Sequence, residues 1–112
     1  MHFVEQKFDD ITVLAIKGKL TDTKETDQLH ARIKTMLDED HNKIVLDLKH
    51  VHWLASVGIG AIMRCVLTVR GTGGDLRLTG LSDKVLNIFS ITQLIGVINV
   101  FDSVQAAVES FR

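Results

Sequence analysis

The stretch Val51-His52-Trp53-Leu54-Ala55-Ser56-Val57-Gly58-Ile59-Gly60 decides how this chain folds. It closes a β-rich run, turns at a serine, and enters a segment, residues 56–70, whose apolar residues recur at helical spacing. Gly71 and Gly73-Gly74 stop that helix. A serine at such a junction holds its hydroxyl beside unpaired backbone N–H groups and the positive end of the helix dipole. Two roles fit it. It is either a helix cap, worth on the order of 1 kcal/mol, or a place for a phosphate group.

Upstream, residues 2–7 and 11–16 read as a hairpin around Asp9-Asp10, the second strand ending at Gly18. In that strand Ile11, Val13 and Ala15 point one way, and Thr12, Leu14 and Ile16 the other. Thr21-Asp22-Thr23 supplies capping oxygens, with Glu25 three residues after Asp22. Leu29, Ile33, Met36 and Leu37 continue at helical period. Residues 43–48 form a nearly continuous apolar strand of the kind that lies inside a helix-covered sheet. Downstream, residues 75–79 make another strand. Ser82 caps a third helix carrying Val85, Leu86 and Phe89, and residues 97–101 are a last strand. Ser103 caps a final helix carrying Val104, Ala107, Val108 and Phe111. After the hairpin, helices and strands alternate. The expected fold is α/β, one domain over residues 1–112, with a mixed sheet of about four to five strands packed by about four helices.

Bulk properties narrow the function. A chain of 112 residues with 46% hydrophobic content can bury a core without staples, and its net charge of −1 leaves no basic excess for nucleic acid. Cys65 is the only cysteine, so no intrachain disulfide forms. The N-terminus is polar and no apolar run approaches the roughly 20 residues of a membrane span, so no membrane insertion and a cytoplasmic location are expected. His50 and His52 share a strand face but lack further ligands, and no metal is expected. Gly71-Thr72-Gly73-Gly74 lacks the Lys-Ser/Thr of a phosphate loop and follows a helix instead of preceding one. No Ser–His–Asp or paired-carboxylate pattern is legible, so no catalytic residue, no cofactor and no enzyme activity are expected. Trp53 is expected to fill the edge of the core, the alternative being a lid near Ser56.

The helix after Ser56 carries two lines of residues. Gly58, Ile59, Ile62, Cys65, Val66 and Val69 fall on the side expected to face the sheet. Ser56, Gly60, Met63 and Leu67 fall on another line, flanked by Arg64 and Arg70. Either a neighbouring helix covers that strip, or it is a docking strip on which Gly60 lets a partner approach closely. A charge added at Ser56 would sit inside such an interface, where its desolvation costs several kcal/mol by order of magnitude.

The order of these elements resembles the STAS domain, in particular the bacterial anti-sigma factor antagonists. Ala55-Ser56-Val57-Gly58-Ile59-Gly60 resembles that family's Asp-Ser-[Ser/Thr]-Gly-Leu-Gly junction. Ile44-Val45-Leu46-Asp47-Leu48 resembles its preceding strand, and Gly73-Gly74-Asp75-Leu76-Arg77-Leu78 its Gly-Gly-x-Leu-x-Leu turn and strand. Val85 to Phe89, Ile91-Thr92-Gln93-Leu94 and Phe101-Asp102-Ser103 resemble the segments that follow. The resemblance implies a STAS-like fold. It also implies that Ser56 is the phosphoacceptor and that the partner-binding residues are Ala55, Ser56, Val57, Gly60, Met63, Arg64 and Leu67. The implied partners are an anti-sigma factor that is itself a serine kinase and ATPase, released when Ser56 is phosphorylated, and a serine phosphatase that resets the cycle. Three positions depart from the family pattern: Ala55 and Thr21 stand where it has aspartates, and Val57 where it has a second hydroxyl. Those departures suit an alternative, a STAS subunit of a transporter or signalling assembly that is never phosphorylated.

Overall fold

The computed structural model describes residues 1–91 and 98–112. β1 (His2–Phe8) and β2 (Ile11–Leu20) form the expected hairpin, with Asp9 at its tip in the left-handed region, φ 60°. Then follow α1 (Thr23–Asp38), β3 (Lys43–Leu54), α2 (Ser56–Arg70), β4 (Asp75–Thr79), α3 (Asp83–Ile91), β5 (Val100–Phe101) and α4 (Val104–Glu109). The sheet runs β1-β2-β3-β4-β5; the hairpin is antiparallel and every later pairing is parallel. It is thus the mixed sheet that an initial hairpin followed by βαβ crossovers requires.

Helices α1 and α2 cover one face of the sheet, over Leu14, Ile16, Ile44, Leu46, Leu76 and Leu78. Helix α4 covers part of the other, over Ile11, Val13 and Val45, through Ala107 and Val108. Buried residues on both faces explain why the middle strands read as near-continuous apolar runs. Asp22 caps α1 as its spacing predicts, its carboxylate accepting the Glu25 N–H at 2.8 Å. The Glu25 carboxylate reaches back one residue further than in a standard capping box, accepting from the Thr21 N–H at 2.9 Å and the Thr21 hydroxyl at 3.0 Å. Ser82 and Ser103 accept from the N–H groups three residues on, as expected of caps.

Four expectations are corrected. Gly18 does not end β2; it takes φ 129° inside a stretch of shifted register, and the strand continues to Leu20. That continuation supplies a partner for residues beyond 48, so β3 runs to Leu54. Trp53 does not fill the core edge: it is 68% exposed. On α2, Ala61 is buried where Ile59 was expected to be, and Ile59 is only half-buried, because α1 packs beside α2 and widens its covered arc toward Ala61. Of the strand expected over 97–101, Val100–Phe101 is observed; residue 97 lies outside the described residues, as do residues 92–94 of the family-like stretch. Cys65 is fully buried in the main core, and burial pushes its thiol up to about 11.

Two glycines at the start of α2 behave oppositely. A Cβ at Gly58 would lie 2.5 Å from the Leu20 carbonyl oxygen and 2.6 Å from Leu54 Cδ1, whereas a Cβ at Gly60 would meet nothing within 4 Å. Gly58→Ala is therefore expected to destabilise the fold by about 1–3 kcal/mol. Gly60→Ala is expected to stabilise it by about 0.5–1 kcal/mol. Urea unfolding followed by far-UV circular dichroism checks both signs.

Candidate functional site

The candidate site sits where the C-terminal ends of β2 and β3 meet the first turn of α2. The Ala55 N–H donates to the Leu20 carbonyl at 3.1 Å, tying the two strand ends together. The Ala55 carbonyl then accepts the N–H groups of Gly58 at 2.9 Å and Ile59 at 3.1 Å, which opens the helix. Gly58 fits beneath because it has no side chain.

Ser56 therefore does not cap. Ala55, extended at φ −94° and ψ 172°, holds the cap position with no side chain to fill it, and Ser56 is the first residue of the helix. The Ser56 hydroxyl is exposed and makes no hydrogen bond among the described residues. The capping role open to this serine on sequence grounds is overturned, because the backbone enters the helix one residue earlier than a capping serine needs.

The docking line expected on α2 is partly open to solvent. Leu67 is 60% exposed and Val57 38%. Gly60 and Arg64 are exposed, while Ala55 is half-buried and Met63 leans onto the core with one side free. Helix α1 does not cover the strip but borders it. A groove between the two helices is lined by Thr23, Asp27, Val57, Gly60, Ala61 and Arg64, with the Arg64 guanidinium 3.8 Å from the Asp27 carboxylate. The α1 side of this groove was not read from the sequence. Thr23 and Asp27 lie one turn apart there, and that spacing was the available signal.

The Thr21 hydroxyl is held by Glu25, so this chain places a carboxylate beside position 21 from the first turn of α1. Among the described residues no cluster of three His, Cys, Asp or Glu is placed to hold a metal ion, and His50 and His52 are both exposed. No helix among them is long and apolar enough to cross a membrane.

An exposed serine heading a helix, on a five-stranded mixed sheet with helices over both faces, defines a small α/β domain of a recognisable kind. The STAS domain model matches residues 2–107, and the chain belongs to that family. It is 24% identical over 112 residues to BtrV of Bordetella bronchiseptica, assigned as an anti-sigma factor antagonist, covering all of this chain and 96% of that one. The crystal structure of a Thermotoga maritima protein with the same assignment superposes with TM-score 0.84 at 24% identity, over 96% of this chain and 92% of that one. The phosphorylated form of the Bacillus cell fate determinant SpoIIAA superposes with TM-score 0.74 at 17% identity, over 99% and 100%. The fold is that of an anti-sigma factor antagonist-like STAS domain.

Three outcomes follow from this geometry. Ser56→Ala is expected to change stability by no more than about 0.5 kcal/mol. Ser103→Ala, which removes the cap on α4, is expected to cost about 1 kcal/mol; paired chemical-denaturation curves read the contrast. His30 links α1 to α2, its Nε2 3.5 Å from the Thr68 hydroxyl, and burial with the Arg64 and Lys34 charges holds its pKa below the ordinary 6.5. The unfolded chain thus takes up this proton before the native one does. The stability that neutral His30 supports is full above about pH 6.5 and falls as pH drops through the native value. His30→Gln is expected to flatten the pH dependence of thermal unfolding in that range.

Proposed function

We propose that this protein is a non-enzymatic, cytoplasmic switch component that binds an anti-sigma factor serine kinase through the α2 strip and the α1–α2 groove. Phosphorylation of Ser56 ends the binding. The observation that carries the reading is the Ser56 hydroxyl: it is exposed, takes no part in the fold, and heads a line ending in the solvent-facing Leu67. Gly60 adds to it, since an open-sided glycine in a helix costs stability and gives the fold nothing back. Close approach of a partner backbone accounts for it.

The switch rests on a difference between two states. The Ser56 oxygen attacks the γ-phosphorus of ATP, the bond to ADP breaks, and the hydroxyl proton is lost. In the free protein the new phosphate meets water and the positive end of α2, both favourable. In the complex the same dianion would lie against an apolar contact without water, at a cost of several kcal/mol by order of magnitude. Phosphorylation therefore favours release, and a serine phosphatase restores binding. A constitutive STAS subunit of a transporter or signalling assembly is the second reading. It is favoured by the side chain of Ala55, which has no group to orient the serine, and by the engagement of Thr21 with Glu25.

Incubation with candidate anti-sigma factor kinases and ATP, followed by intact-mass measurement, is expected to add one phosphate to the parent and none to Ser56→Ala. Ser56→Asp and Leu67→Arg are expected to weaken kinase binding about tenfold or more. If Ser56→Asp binds as tightly as the parent, charge exclusion is not the mechanism. If no kinase modifies the parent while a transporter component captures it, the constitutive reading holds instead.

A further inference from the structure

Strand β3 outruns its neighbour. Its residues Lys43–Asp47 pair with β4, while residues 50–54 pair with β2 alone. Beyond the buried Leu48 and the Gly80 backbone that lies against Lys49, residues 50–54 are therefore a strand edge left bare by the described residues, where about every second residue turns its N–H and C=O away from β2. Along that edge the Lys49 N–H donates to Asp47 Oδ1 at 3.0 Å, and no bond is made from residues 50–54 among the described residues.

Two shallow grooves lie between this edge and α3. Their apolar lining includes Val51, Leu54, Val85 and Ile88, and Trp53 stands at the rim, 68% exposed. Lys49, Lys84 and His52 also line them, and no carboxylate does among the described residues. Asp47 closes the inner end of the edge with its carboxylate on the Lys49 N–H, and from there outward the charge lining the grooves is carried by lysines, in a chain whose net charge is −1.

We propose that this edge is a second interaction surface, which takes an extended acidic segment of a partner polypeptide as an added strand. Unpaired main-chain groups call for another main chain. Valine and leucine beside them call for apolar side chains at alternate positions, and the lysines call for carboxylates at the others. A second copy of this chain fits badly, since pairing edge to edge would set Lys49, His50 and His52 against one another. An anionic bilayer offers charge but no ladder of backbone groups. The surface shares no lining residue with the α1–α2 groove, and it stands whether or not Ser56 carries phosphate.

Trp53 is the only tryptophan, so its fluorescence reads the site directly. The probe is a short synthetic peptide alternating glutamate and valine, titrated into the full chain. The proposal expects a saturable change in emission, weakened by salt, with slowed amide exchange at residues 50–54. Lys49→Glu combined with Lys84→Glu is expected to weaken binding about tenfold, while Lys34→Glu on α1 leaves it unchanged. If the double variant loses its native circular dichroism, Lys49→Gln with Lys84→Gln is expected to act in the same direction. Unslowed exchange at 50–54, equal binding of a lysine–valine peptide, or an unaltered affinity in the folded variants would overturn it. So would a response confined to phosphatidylserine vesicles, which assigns the patch to lipid, or slowing by protein concentration alone, which assigns it to a second copy.

Discussion

One backbone hydrogen bond and one missing methyl group set the start of α2. The Ala55 N–H to Leu20 carbonyl contact brings the ends of β2 and β3 together, and Gly58 lets α2 start directly above them. A longer connection would cost little in closure entropy, but it would free the first turn of α2 to wander. The tight junction instead holds Ser56 at a set place and angle, while its side chain contributes nothing to holding the junction. A residue positioned by others and used by none of them is free to be modified without unfolding what surrounds it.

Helix α2 carries a tension between stability and exposure. It begins without a side-chain cap, includes Gly60 where alanine would be more stable, and leaves Leu67 in water. Helix α1, by contrast, is capped by Asp22 and braced by Glu25, and α4 is capped by Ser103. The same chain thus caps α1 and α4 with side chains and leaves the start of α2 without one.

Much of this was legible in residue order. The alternation after the hairpin gave the sheet and its crossovers, and the line from Ser56 to Leu67 followed from helical geometry alone. What escaped depended on neighbours. Gly18 reads as a strand stop, yet a residue that tolerates φ 129° carries the strand onward. His50 and His52 read as lying beyond a strand that ends at residue 48, yet β2 accompanies β3 to Leu54. Trp53 reads as core because large aromatics usually are; its place on an over-long strand puts it in solvent instead. Ser56 reads equally well as cap or acceptor until the backbone shows that Ala55 already holds the capping position. Each miss is a case of tertiary pairing overriding a local signal.

The burial of Cys65 gives the protein a built-in clock. Its sulfur lies at zero exposure beneath α2, with ionisation pushed up to about 11. The intact fold therefore presents almost no thiolate to an alkylating reagent. Reaction must wait for α2 to lift from the sheet, so the labelling rate measures how often that helix opens. Comparing that rate before and after a modification at Ser56 would tell whether the event stays at the surface or loosens the helix beneath it.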